Sequence, residues 1–151
     1  YEIIQWNFGR SYTIANLSAE NSQLSGHVIN LESGSTPKIS LTLVGGNVSI
    51  NGVVKRGGKP VAGAMVVLIP QSPADHLDMF RRDQSDQDGT FTVQAVVPGE
   101  YTILAIEGGW DLEWSQPNVI AAYSKKGQPV QVSENRTGTV TLSSAVEAQS
   151  K

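Results

Sequence analysis

The sequence predicts an all-β chain, and three features of its 151 residues support this class. Runs of β-branched and alternating apolar residues are short, as strands are in globular domains. Fifteen glycines and seven prolines separate these runs, a composition typical of tight turns. No amphipathic helical pattern is longer than about three turns. We therefore expect a small antiparallel β-sandwich with one short helix in a loop, preceded by a few additional β-strands.

Residues 1–46 have the pattern of four short strands separated by polar or glycine-containing stretches. In the clearest of them, Ile39, Leu41 and Leu43 alternate with polar residues and share one face. Four short strands make a thin sheet with one face still to bury, so this segment is not expected to be an independent domain. The predicted strands are Tyr1–Trp6, Ser11–Ala15, His27–Leu31 and Lys38–Val44.

Residues 47–144 contain a stronger strand pattern, which three turn phrases divide. These are Gly58–Ala64 (GKPVAGA), Asp86–Phe91 (DQDGTF) and Pro98–Tyr101 (PGEY), and each leads into an apolar alternating run. The spacing of the phrases suits a small antiparallel sandwich. The strands predicted around them are Val48–Val54, Val61–Ile69, Thr90–Val96 and Tyr101–Ile106.

The end of the chain is predicted to close the sandwich. Pro129–Ser133 and Thr137–Ser143 have the pattern of a hairpin, and residues 145–151 that of a flexible tail. Two stretches do not fit a minimal sandwich. Pro73–Arg82 is expected to form a helical turn, and a short helix is expected from Asn118 up to Gly127.

Composition and motifs argue against several classes of function. The net charge of −3 gives no electrostatic footprint for nucleic acid, and no apolar run reaches the roughly 18 residues of a membrane span. Cysteine is absent, histidine occurs only twice, and no serine lies in a Gly-x-Ser-x-Gly context. The sequence therefore predicts no catalytic residue, no metal site and no cofactor.

From Val48 to Ser143 the turn phrases resemble the carboxypeptidase regulatory-like domain, a transthyretin-like (prealbumin-like) sandwich. The resemblance implies a seven-stranded antiparallel Greek-key sandwich over residues 47–144, with residues 1–46 as the last strands of a preceding sandwich-like domain. The matching residues are Gly52, Lys59, Pro60, Ala62, Gly63, Ala64, Asp88, Gly89, Phe91, Pro98, Gly99, Glu100 and Tyr101.

This variant is similar to the tandem copies found in large bacterial surface and secreted proteins. The resemblance implies a non-catalytic module for folding, spacing or binding, in an extracellular, cell-surface or periplasmic location. Its partners would be neighbouring domains of the same polypeptide. If residues 1–46 leave a sheet edge exposed, self-association by strand addition also becomes an expectation.

The aromatic stretch after Ile106 departs from the minimal family pattern and offers a candidate ligand site. Trp110, Trp114 and Tyr123 could stack on sugar rings, with Asp111 and Glu113 as polar neighbours that fix hydroxyl groups. A glycan or small ligand is one interpretation. The others are that the aromatics cap one end of the sandwich or pack against an adjoining domain.

The acidic turn before the Thr90 strand superficially resembles a calcium loop. With Gly89 at the sixth position, Asp86 and Asp88 would supply the third and fifth ligands. The first and twelfth positions, Gln84 and Ala95, lack the carboxylates that such a loop needs. A type I turn with aspartates that accept backbone N–H bonds is the alternative, and an irregular cation site stays open beside it.

Overall fold

The computed structural model describes residue 1, residues 12–25 and residues 27–151. They belong to two compact units, Tyr1–Gly46 and Asn47–Lys151. The predicted strand Tyr1–Trp6 lies outside the described residues apart from Tyr1. No helix in the described ranges is long and apolar enough to cross a membrane.

Within its described residues, the first unit has two antiparallel strand pairs. Its strands are β1 (Tyr12–Glu20), β2 (Gln23–Ser25), β3 (Val28–Asn30) and β4 (Lys38–Gly45). β1 pairs with β4, and β2 pairs with β3.

β1 extends beyond the predicted strand Ser11–Ala15 into residues that were expected to form a polar connection. Cross-strand pairing explains the extension, because Leu17 lies opposite Leu41 and Ala19 lies opposite Ile39. The contacts between these apolar side chains on β1 and β4 stabilise the strand more than the polar residues between them destabilise it. The prediction of a connection over residues 16–20 was therefore wrong.

β4 carries an apolar row that is only half-covered. The side chains of Ile39, Leu41 and Leu43 are 45%, 44% and 45% exposed. Their alternation follows the period of a strand with one buried face, as the sequence predicts. In the described residues this face of the first unit instead presents apolar surface to solvent.

The second unit, which the structure describes in full, has nine strands and one α-helix. It also contains two single 3-10 turns, at Leu77–Met79 and Gly109–Asp111. The elements are β5 (Val48–Arg56), β6 (Lys59–Pro60), β7 (Met65–Pro70), β8 (Arg81–Gln84), β9 (Thr90–Val96), β10 (Gly99–Glu107), α1 (Pro117–Ser124), β11 (Gln128–Val132), β12 (Gly138–Thr141) and β13 (Val146–Ser150).

These strands form a sandwich around a central apolar core, which confirms the all-β class. β5 pairs with β9 and β12, and β10 pairs with β7 and β11, while β8 extends the second group at β7. Alternate residues of both groups meet in one cluster, so the two layers face each other across it. Its members include Ile50, Val54, Val66, Leu68, Phe91, Val93, Ile103, Ala105 and Val130.

β13 corrects the predicted flexible tail over residues 145–151. It lies between β5 and β10, and it pairs in parallel with both strands, so it joins the two layers. Val146 is 1% exposed and Ala148 is 6% exposed. Burial of these two small apolar side chains and parallel pairing on both edges order a segment whose composition is otherwise polar.

The predicted hairpin of Pro129–Ser133 and Thr137–Ser143 is also wrong. β11 pairs with β10, whereas β12 pairs with β5 in parallel. The sandwich is therefore not purely antiparallel, and it has nine strands rather than seven. The two segments are adjacent in sequence, but each buries its apolar residues better against a central strand of its own layer.

Two further boundaries differ from the predictions. β7 begins at Met65 rather than at Val61, because the chain before it turns through Gly63 at positive φ. Within Pro73–Arg82 the helical turn is a 3-10 turn at Leu77–Met79. It is followed by β8, which the sequence did not predict because the strand is polar.

The Pro98–Tyr101 phrase forms the corner between β9 and β10. The hydroxyl of Tyr101 donates a hydrogen bond to the carbonyl oxygen of Val97 at 2.7 Å, and both residues are buried. Burial raises the pKa of Tyr101, so the phenol is neutral and serves as a donor. This backward bond resembles the tyrosine corner of Greek-key sandwiches.

Candidate functional site

The outer face of β7 and β10 is covered by the insertion between β10 and β11. Helix α1 begins at Pro117, where the fixed φ of proline suits a first helical residue and its missing N–H needs no partner. Ile120 in α1 is buried and packs in a second apolar cluster on this face. β7 is therefore buried on both faces. The other members of the second cluster are Met65, Val67, Ile69, Phe80, Leu104 and Ile106.

An arginine lies against two tryptophans above the second cluster. The guanidinium carbon of Arg82 is 5.3 Å from the ring centroid of Trp110 and 5.0 Å from that of Trp114. Trp110 donates from Nε1 to the carbonyl oxygen of Gly63 at 3.0 Å. Trp114 contacts Phe80 edge-to-face, with 6.4 Å between the ring centroids. We call Arg82, Trp110 and Trp114 the Trp–Arg–Trp cluster.

The structure places the predicted aromatic residues in different environments. Trp114 and Tyr123 are partly buried and pack against the second cluster. Trp110 is 41% exposed and stands at the surface. Arg82 brings Trp110 and Trp114 together, whereas Tyr123 contributes packing and lies outside the Trp–Arg–Trp cluster. Ligand binding by these residues stays a prediction.

The two predicted acidic neighbours also differ. Asp111 forms an exposed ion pair with Lys151, and the hydrogen bond from Lys151 lowers the pKa of the Asp111 carboxyl. Glu113 is exposed, and its carboxylate forms no ion pair or hydrogen bond with the described residues. The charge of Asp111 is thus compensated within the chain, while that of Glu113 is not.

Arg82 is the member of this site that sequence reasoning missed, because Arg81 and Arg82 have the pattern of a solvated basic pair. Strand alternation separates them. Arg81 turns the other way and donates to the carbonyl oxygens of Ala95, Asp78 and Phe80, and burial lowers the pKa of its guanidinium. Strand alternation is the sequence signal that could have distinguished Arg82 from Arg81, because adjacent side chains of a strand point to opposite faces.

The acidic turn before β9 forms the hydrogen bonds expected for a turn in which aspartates accept from backbone N–H groups. The Asp88 carboxylate accepts from the backbone N–H of Thr90 at 3.1 Å and from its hydroxyl at 2.6 Å. These bonds lower the pKa of Asp88. The N–H of Gly89 donates to the carbonyl oxygen of Asp86 at 2.9 Å, which closes the turn.

Comparison with known protein families gives one match. The model described as "BOS complex subunit NOMO1-like, second beta sandwich domain" matches residues 43–133, more than half of the chain. No curated protein and no solved structure matches the chain. The match confirms the predicted β-sandwich, while the relation to the carboxypeptidase regulatory-like domain stays a prediction. On this match, the chain belongs to the family of the NOMO1-like second β-sandwich domain.

Proposed function

We propose that this chain is a non-catalytic β-sandwich module of a larger secreted or cell-surface bacterial protein. It acts in structural spacing, assembly or protein–protein contact. The observation that carries the proposal is the parallel pairing of β13 with β5 and β10. β5 is the first strand of the second unit and β13 is its last, so tension along the polypeptide acts on these two strands directly.

Parallel pairing sets the direction in which the load acts. Tension on residue 47 pulls β5 from its start, and tension on Lys151 pulls β13 from its end. Because the strands are parallel, these forces slide one strand along the other and load the inter-strand hydrogen bonds together. Val146 lies opposite Val54 and Ala148 lies opposite Ala105, so sliding also has to separate packed apolar side chains.

Polar groups that hold the backbone favour a structural role over a chemical one. The hydroxyl of Ser85 donates to the carbonyl oxygen of Val61 at 2.7 Å and accepts from the N–H of Ala64 at 3.0 Å. The Asp83 carboxylate accepts from the N–H of Thr92 at 2.6 Å, which ties β8 to β9. These side chains pair with backbone N–H and C=O groups that would be costly to leave unpaired, and so they stabilise the sandwich.

Single-molecule pulling tests the spacing role. The chain has no cysteine, so attachment points can be introduced singly. We expect Asn47→Cys with Lys151→Cys to give a high unfolding force, because β5 and β13 are sheared. Lys59→Cys with Lys151→Cys places the first handle on β6, opposite Arg56 at the end of β5, so both handles pull at the same end and peel β13 away. Equal unfolding forces in the two geometries would contradict the spacing role.

A second candidate function is recognition of a glycan or small ligand, and the exposed ring of Trp110 favours it. We expect Trp110→Ala to remove binding on a glycan array and to lower the free energy of unfolding by only about 1 kcal/mol. Trp114→Ala is the matched control for packing. It should cost about 2 to 3 kcal/mol, because Trp114 packs on Phe80 and the second cluster. Absence of any bound glycan for the unsubstituted chain would contradict this candidate.

The proposed location is extracellular, cell-surface or periplasmic, and the proposed partners are neighbouring domains of the same polypeptide. The exposed row of Ile39, Leu41 and Leu43 on β4 supports contact with such a domain. Self-association by strand addition is the alternative for the same unit. Sedimentation of the chain at increasing concentration separates the two, since a strict monomer argues against strand addition.

A further inference from the structure

The guanidinium of Arg82 is positioned but not neutralised within the described residues. Its carbon lies over the rings of Trp110 and Trp114, and its five N–H groups are all donors. No carboxylate or carbonyl oxygen in those residues accepts a hydrogen bond from Arg82. Among the residues that the structure describes, the cation therefore has no partner for its strongest interaction, a bidentate pair with a carboxylate.

Three acidic side chains of the second unit already have partners of their own. Asp83, the next residue, accepts from the N–H of Thr92. Asp111 pairs with Lys151, and Glu107 pairs with Arg56 at 2.9 Å. The Glu113 carboxylate, in the same insertion as Trp110 and Trp114, has no ion-pair partner among the described residues. The Trp–Arg–Trp cluster is thus a surface cation between two apolar walls, with Trp110 41% exposed.

From this geometry we propose that the Trp–Arg–Trp cluster binds a carboxylate of an acidic segment in a partner polypeptide. Arginine and tryptophan dominate the binding energy of many protein interfaces. Arg82 is exposed, so a partner can reach the guanidinium, and the two indole rings would shield part of an ion pair formed there from solvent. The proposal rests on the contact function proposed above and names the chemistry of its partner.

A polypeptide carboxylate fits this arrangement better than an acidic sugar does. The guanidinium already covers one face of the Trp110 ring, so a sugar would have to stack on the opposite face. Its carboxylate would then lie across the indole from the N–H groups of Arg82. A glutamate or aspartate side chain is narrow enough to approach the edge of the guanidinium between the two tryptophans.

The test uses the 151-residue chain and a synthetic peptide of consecutive glutamates, with a glutamine peptide of equal length as the reference. The readout is the indole N–H resonances of Trp110 and Trp114 in NMR spectra. We expect the glutamate peptide to shift both resonances in a saturable manner. We expect Arg82→Gln to weaken binding about tenfold, the loss of one charge-assisted pair. Arg136→Gln removes another exposed guanidinium and should leave binding unchanged.

Each alternative result bears on the proposal. Unchanged affinity in Arg82→Gln, equal shifts with the glutamine peptide, or no shift with the glutamate peptide overturns it. Binding of polygalacturonate but not of the glutamate peptide overturns it in favour of an acidic polysaccharide. If Arg82→Gln fails to fold, Arg82→Lys keeps the charge but loses the planar fork, and it should bind several-fold more weakly. The pulling experiment detects failure of the spacing role separately, since it does not depend on Arg82.

Discussion

Removal of residues 145–151 is expected to unfold the second unit. Without β13, the apolar side chains of β5 and β10 at the junction of the layers are exposed, and both strands lose a paired neighbour. Burial of a valine such as Val146 contributes about 1.5 to 3 kcal/mol. With the lost backbone pairing, the cost is on the order of 5 kcal/mol or more, comparable to the total stability of a small domain.

Urea unfolding followed by circular dichroism measures this loss. Removal of Lys151 alone is the control, because it deletes only an exposed ion pair with Asp111 and should leave the free energy of unfolding nearly unchanged. In the 151-residue chain, Ala148→Asp places a charge at a buried position and should lower the free energy of unfolding. Glu147→Gln changes an exposed residue of the same strand and should leave this free energy nearly unchanged. A cooperative transition at an unchanged midpoint after removal of 145–151 would show that β13 is dispensable.

Gly89→Ala is expected to lower the free energy of unfolding by about 4 kcal/mol. Gly89 has φ +80°, where a side chain adds about 1 to 2 kcal/mol of strain. An added Cβ would also lie 2.6 Å from the carbonyl oxygen of Val54, which is backbone and has little freedom to retreat. Overpacking of this kind costs about 1 to 3 kcal/mol.

Gly57→Ala separates the two causes of this loss. Gly57 has φ +55°, but an added Cβ would meet no atom within 4 Å. It should therefore show the conformational strain alone, about 1 to 2 kcal/mol. Chemical denaturation of both variants gives the comparison. Equal losses in the two variants would mean that the contact with Val54 contributes nothing.

Local signals predicted the parts of the fold that depend on neighbouring residues. Thr90–Val96 is a strand in both sequence and structure, because a glycine turn precedes a regular apolar alternation. The helix after the tryptophans was expected from Asn118, and it begins one residue earlier, at Pro117. These elements are specified by turn residues and periodicity within a short window.

Pairing between distant segments could not be predicted in this way. Residues 129–143 have the local pattern of a hairpin, but their partners β10 and β5 lie far away in sequence. β13 is polar at Glu147 and Gln149, and its order depends on partners such as the carbonyl oxygen of Tyr123, which accepts from Gln149 at 3.0 Å. Strand propensity reflects such tertiary surroundings as much as the residues themselves.

The candidate site was only partly predicted, again because contacts between distant segments are not visible in the local sequence. The apolar faces of Trp110 and Trp114 indicate a binding or packing surface from the sequence alone. Their contact with Arg82 depends on the register of β8, a strand that composition does not reveal. The sequence thus identifies the aromatic half of the Trp–Arg–Trp cluster, and only the fold supplies its cation.

The position of β13 at the end of the second unit also affects how the unit matures on the ribosome. The chain emerges from its N-terminus, so β5 and β10 are free of the exit tunnel before the strand that fits between them. Until residues 146–150 emerge, the gap between β5 and β10 is open and the nascent unit exposes part of its interior. Completion of the second unit therefore waits until residues 146–150 have been translated and have left the exit tunnel.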